Sequence, residues 1–196
     1  MRFLIVYGTT DGQTATIAER IAHTFEGRGH EVECRDADTV EHGFSARAYD
    51  AIVVGGSIHL GKYQRGVTRF IRRHRADLRW TPSAFFSVCM AIQSKDEKER
   101  AEAEAIPRNY VEHLGWHPDS IEVMAGALKF SEYGFLRRVV MKSISEKEMG
   151  AAIDTSRDYE YTDWEQVDRF ARTFAEYAEQ HSGKMLRPSL GGEAGV

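Results

Sequence analysis

The segment Gly8-Thr9-Thr10-Asp11-Gly12-Gln13-Thr14 gathers small residues and hydroxyls between two apolar stretches. Before it, residues 3–7 (FLIVY) form a continuous apolar run suited to a strand buried on both faces of a parallel sheet. After it, Ile17, Ala18, Ile21, Ala22 and Phe25 recur at helical spacing. A strand, a tight polar loop and a helix start together present unpaired amide hydrogens and partial positive charge, and the two glycines let the backbone close around an anion. Thr9, Thr10 and Thr14 add hydroxyl donors. The loop lacks both the Gly-Lys-Ser/Thr of a triphosphate loop and the GxGxxG of a dinucleotide loop, so one phosphate monoester is the ligand it suits. The competing reading is a polar turn that only caps the helix through Thr10 or Asp11.

Three more strand ends fall at the same edge. Residues 51–54 (AIVV) read as a third strand, and the Gly55-Gly56-Ser57-Ile58-His59-Leu60-Gly61-Lys62-Tyr63 stretch is a second glycine-punctuated loop with an aromatic ring and polar groups suited to a flat heterocycle. The strand over 84–90 closes on Cys89-Met90-Ala91, and the one over 121–128 on Gly126-Ala127-Leu128. Hydroxyls where a phosphate would lie, and small or apolar residues where a ring would lie, favour flavin mononucleotide (FMN).

The elements that must carry these loops alternate between strand and helix: Gly27 and Gly29 stop the first helix ahead of a second strand over 31–35. Val67, Phe70, Ile71 and His74 mark the helix after the third strand, and 97–114 reads as a helix that Pro107 should kink or split. The closing helix carries Trp164, Val167, Phe170, Ala171, Phe174 and Ala178 behind a Thr162-x-x-Glu165 capping box. Five strands alternating with helices imply a right-handed parallel sheet covered on both faces. We expect one domain over 1–181 and a flexible tail over 182–196. The stretch 129–161 exceeds the ordinary connection length, which marks it as functional or mobile.

With 26 Lys and Arg against 30 Asp and Glu, the net charge of -4 gives no global attraction for nucleic acid, so no nucleic-acid partner is expected. Cys34 and Cys89 lack ligand spacing and are expected to be buried, reduced thiols; no metal site is expected. With no long apolar run or leader, the expected location is cytoplasmic.

Several motifs make the chain resemble the flavodoxin superfamily and, within it, the bacterial menaquinone-dependent protoporphyrinogen IX dehydrogenases. They are Asp11 to Thr14; Gly55 to Ile58 with Gly61 and Tyr63; Pro82-Ser83-Ala84-Phe85 leading into Ser87-Val88; Ala125-Gly126-Ala127-Leu128; and Tyr161-Thr162-Asp163-Trp164-Glu165-Gln166-Val167. The resemblance implies an α/β, doubly wound five-stranded parallel sheet of order 2-1-3-4-5 with a long insertion (129–161) before the last helix. It also implies FMN as cofactor, protoporphyrinogen IX as substrate and a membrane quinone, menaquinone or ubiquinone, as acceptor. The ring is then expected between the loops 57–63 and 89–92, with His59 as candidate proton acceptor where an arginine is more familiar in that family. In the insertion, Phe135, Leu136, Val139, Val140 and Ile144 make an apolar stripe opposite Arg138 and Lys142. Residues 134–148 could thus make peripheral contact with the inner face of the cell membrane, with Arg137, Arg138 and Lys142 as substrate-carboxylate candidates. An electron carrier without its own substrate and an NADH:quinone reductase remain alternatives.

Overall fold

The computed structural model describes residues 1–59, 61–128, 154 and 156–181; Leu60, Arg137, Arg138, Lys142, the 134–148 segment and the 182–196 tail lie outside the described residues. The elements are β1 (Arg2–Gly8), α1 (Gln13–Gly27), β2 (Glu31–Asp36), β3 (Ala51–Ser57), α2 (Arg65–Trp80), β4 (Ser83–Val88), α3 (Glu97–His113), β5 (Ser120–Met124), β6 (Ala127–Leu128), β7 (Tyr159–Glu160) and α4 (Trp164–His181). β1 to β5 form one parallel sheet in the order β2-β1-β3-β4-β5, and β6 pairs with β7 in a separate antiparallel ribbon.

Side-chain alternation along β1 decides the two layers, because successive residues of a strand point to opposite faces. Phe3 and Ile5 join Ile17, Ile21 and Phe25 of α1 and Val167, Phe170 and Phe174 of α4 on one face. Leu4 and Val6 join Val67, Phe70 and Ile71 of α2 and Val111 of α3 on the other. Both faces are covered, which is why the central strands read as unbroken apolar runs. The winding reverses between β1 and β3, so the helices after these strands diverge and open a crevice at their carboxyl ends.

Several sequence expectations are corrected. β3 runs on through Gly55 and Gly56 to Ser57, because the glycines are packing positions rather than loop punctuation. A Cβ on Gly55 would sit 2.0 Å from Phe86 Cζ, and one on Gly56 2.9 Å from Tyr63 Cδ1. β4 stops at Val88, after which Met90–Gln93 turn into a 3-10 helix. The run over 121–128 breaks after Met124, since Ala127 and Leu128 leave β4 to pair with Glu160 and Tyr159. α3 passes Pro107 unbroken. The missing hydrogen bond costs about 3 kcal/mol in a helix interior, and burial of the ring against the core offsets it. The break in helical geometry lies instead in α2, at buried His74 (φ -101, ψ 15). Cys34 is exposed on the edge strand β2; only Cys89 is buried, and neither cysteine is in a disulfide.

Candidate functional site

α1 starts on Gly12, whose left-handed backbone (φ 81) turns the chain out of the loop and into the helix. The N-cap position is Gly12 itself, which has no side chain to cap the start. The first amides of a helix have no partner within it, and the glycine at this N-cap supplies none from a side chain. Beside them, Thr9 Oγ1 is buried without a hydrogen-bond partner. An orphaned buried hydroxyl next to uncapped helix amides is a site shaped for an acceptor-rich anion. Gly8 brings α2 close, because a Cβ there would lie 2.5 Å from Val67 Cγ2.

Around this cradle the four strand ends are tied in sequence. Gln64 Oε1 accepts from the Ser57 amide (3.2 Å), while its Nε2 donates to Ser57 Oγ (2.8 Å) and Thr10 Oγ1 (3.0 Å). One side chain thus locks the phosphate loop to the end of β3. A second approach joins the same loops: His59 Nε2 lies 3.6 Å from Asp11 Oδ2. His59 and Lys62 exchange backbone hydrogen bonds (2.9 and 3.1 Å) around Gly61, which takes the turn's positive φ of 73. The Ile58 amide donates to the Val88 carbonyl (3.0 Å) and the Cys89 amide to the Met124 carbonyl (3.0 Å), joining β3, β4 and β5 at their ends.

The last link returns to the first loop. Buried Gln13 turns its side-chain amide away from the crevice, donating to Thr162 Oγ1 (2.9 Å) and Glu160 Oε1 (2.8 Å), and Thr162 Oγ1 donates to the Ala125 carbonyl (3.1 Å). Thr162 is therefore a lock on the β5 end rather than the cap of α4. That cap is Asp163, whose Oδ1 accepts from the amides of Glu165 (2.9 Å) and Gln166 (3.1 Å). Gly126 sits tight against Val88 and Met90, Ala127 is half-buried, and Leu128 is buried in the β6–β7 ribbon. Met90 and Ala91 are half-buried at the start of the 3-10 turn.

Tyr63, the ring expected to suit a heterocycle, turns inward. Its ring packs edge-on to Phe85 (5.4 Å) and against Tyr110 (4.2 Å), and its hydroxyl meets Ser87 Oγ at 2.8 Å. Burial pushes this hydroxyl above its ordinary pKa while the Ser87 hydrogen bond pulls the other way. Gln64 and Glu160 are positioning residues that the motif reading missed, and Thr162 is one that it read only as a helix cap. Only the place of Gln64 between the second loop and the α2 start was a signal, and its side-chain reach was not.

Among the described residues, no cluster of His, Cys, Asp and Glu could hold a metal ion, and no helix is long and apolar enough to cross a membrane. The donors present fit a phosphate monoester and therefore the phosphate end of FMN.

Residues 4–156 match the flavodoxin domain family. The chain is 34% identical over 180 residues to the protoporphyrinogen IX dehydrogenase [quinone] of Escherichia coli (strain K12), covering 92% of this chain and 98% of that one. It is 33% identical over 173 residues to the protein of that name in Leishmania major, covering 88% and 74%. Oxidised flavodoxin 1 from Bacillus cereus superposes with a TM-score of 0.55 at 16% identity over 90% of this chain and 99% of that one, which is a likeness of fold. The uncapped cradle at the β1–β3 crevice and the near full-length similarity agree: the chain belongs to the flavodoxin domain family and, within it, to the protoporphyrinogen IX dehydrogenase [quinone] family.

Proposed function

We propose that this protein is an FMN-dependent oxidoreductase that converts protoporphyrinogen IX to protoporphyrin IX in heme biosynthesis and passes the electrons to menaquinone or ubiquinone. The observation that carries the cofactor half of this reading is the buried, partnerless Thr9 Oγ1 beside the uncapped start of α1. The substrate half is supported by similarity to the dehydrogenases over nearly the whole chain.

In this reading the hydroxyls of Thr9, Thr10 and Thr14 and the backbone amides of Asp11, Gly12 and Gln13 hold the phosphate. Bound FMN supplies the redox chemistry at its ring. The segment Ser57 to Gly61, the turn Cys89 to Ala91 and the backbone of Gly126 to Leu128 wall the ring's place. Gln64 and Thr162 keep these walls in register through the bonds described above. His59 is the proposed proton acceptor, with Asp11 Oδ2 3.6 Å from its Nε2. Arg137, Arg138 and Lys142 are proposed to receive the substrate's carboxylates, and 134–148 to make a peripheral contact with the inner face of the membrane from the cytoplasm; the basic and apolar pattern of that segment supports both.

The test is to incubate the FMN-loaded protein with protoporphyrinogen IX and a menaquinone analogue and to follow porphyrin fluorescence. Production above the autoxidation control is expected. A flavin-loaded protein that gives none would leave an electron carrier as the better reading.

A further inference from the structure

The exposed face of α2 carries charge that the site does not use. Arg65, Arg69, Arg72, Arg73, Arg75 and Arg79 all point to solvent, and the helix holds a single carboxylate, Asp77. Arg65, Arg69 and Arg72 follow helical spacing before the break at His74, and Arg75 and Arg79 follow it after, so the basic stripe runs along both halves of α2 opposite the buried Val67, Phe70, Ile71 and Leu78. Counter-charges are few. Asp38 lies 3.2 Å from Arg69, and Asp77 is engaged by Arg47 (2.8 Å) and sits 3.5 Å from His74. Among the described residues, no carboxylate pairs with Arg65, Arg72, Arg73, Arg75 or Arg79. A stripe this basic within a chain of net charge -4 is a strong local field.

The end of the stripe is apolar. Trp80 is 40% accessible, the exposed large hydrophobic residue among the described ones, and the Arg79 guanidinium stacks over its ring at 5.5 Å. Arg72, Arg73, Arg75, Ala76, Arg79, Trp80 and Gly115 line one shallow, open concavity there. A tryptophan with one wet and one apolar side, next to arginines whose stems are apolar, is the composition that settles at a bilayer interface. Nucleic acid would be served better by aromatic rings spaced along the basic face, and among the described residues the large exposed ring, Trp80, stands at its end.

We propose that the arginine face of α2, closed by Trp80, is a docking surface for an anionic lipid bilayer. The helix lies on the surface: guanidinium groups meet phosphates along the stripe, and Trp80 enters the headgroup boundary. Because α2 begins one residue after Gln64, which holds Ser57 and Thr10, docking along this helix brings the rim of the candidate site to the bilayer. The proposal does not depend on the substrate assigned above, and its test reads lipid binding alone.

The experiment is flotation of the full FMN-loaded chain with vesicles of phosphatidylcholine containing about a third phosphatidylglycerol, and with phosphatidylcholine alone. Binding to the anionic vesicles only, weakening as salt rises, is expected. Each arginine near such a surface contributes roughly fivefold, so Arg72→Glu, Arg75→Glu and Arg79→Glu together should lower binding at least about tenfold. A triple variant with the same net charge elsewhere, Lys95→Glu, Lys98→Glu and Arg169→Glu, should stay within about threefold of wild type. The tryptophan emission should shift to the blue on binding in the wild type and not in Trp80→Phe. Equal weakening by the two triple variants would overturn the proposal, as would retention on duplex DNA with none on vesicles. So would binding that survives the α2 variant but is lost when Arg137, Arg138 and Lys142 are replaced.

Discussion

α1 and α4 lie side by side on one face of the sheet, joined by the bidentate pair of Arg20 and Asp168 (2.7 and 2.8 Å), yet they begin in opposite ways. α4 starts on Asp163, whose carboxylate accepts two of the first-turn amides. α3 does the same through Asp96, whose Oδ1 accepts from the Lys98 amide at 2.9 Å. α1 starts on a glycine, which has no side chain to cap its amides, and the nearby carboxylate of Asp11 lies 3.6 Å from His59 Nε2. Every helix start carries the same unpaired donors and partial positive charge. α3 and α4 neutralise theirs with a carboxylate of the chain; α1 and α2 start on residues whose side chains make no cap, and in the proposed function the α1 amides are the ones that take the phosphate.

Making the α1 start resemble the α4 start should break this difference most severely. In Gly12→Asp a carboxylate competes with the phosphate for the same amides. Like charges placed together cost several kcal/mol, so FMN affinity should fall by about a hundredfold. Flavin fluorescence titration reads the loss, and far-UV circular dichroism checks that the fold persists, since aspartate tolerates a left-handed backbone better than most residues. Unchanged affinity would mean that these amides do not hold the phosphate.

Next in size is Thr9→Val, which removes a hydroxyl that bonds to nothing in the protein. Hydrogen bonds to charged groups contribute about 1.5–3 kcal/mol, so FMN affinity should drop at least about tenfold while the apo-protein's urea midpoint stays level or rises. A lower midpoint in the apo-protein would show that the hydroxyl has a structural partner after all.

Asp163→Ala is the mirror experiment. Loss of this cap should cost about 1 kcal/mol, or a melting temperature lower by about 2–4 °C, with FMN affinity unchanged; calorimetry on the apo-protein together with a flavin titration separates the two. The smallest effect is expected for His59→Ala, which releases Asp11 toward the α1 amides and should weaken FMN binding by about threefold, in line with a partly exposed pair. Affinity higher than wild type would show that His59 crowds the site rather than restraining Asp11.

The local pieces of this arrangement were legible in the sequence because short-range rules produce them. Phe3 to Tyr7, the loop that follows and the helical spacing from Ile17 give a strand, a polar turn and a helix in any context. Where neighbours decide, the pattern misled. Gly55 and Gly56 resemble loop residues until Phe86 and Tyr63 are seen filling the space above them. Thr162 to Glu165 has the spelling of a capping box, but the partner of Thr162 lies across the fold at Ala125. Pro107 should end a helix by local rules, and tertiary packing holds the helix through it.

By itself, then, the amino-acid order settled the alternation of strands and helices, the apolar faces and the polar, hydroxyl-rich character of the 9–14 loop, since each depends on residues a few positions apart. The tertiary structure alone decided that Gln64 bridges Thr10 and Ser57, that Gln13 bonds to Thr162 and Glu160, and that Tyr63 turns to the core. These partners are separated by up to 149 positions along the chain. Which side chains meet over such distances follows from strand register and helix packing, and neither is written in local spacing.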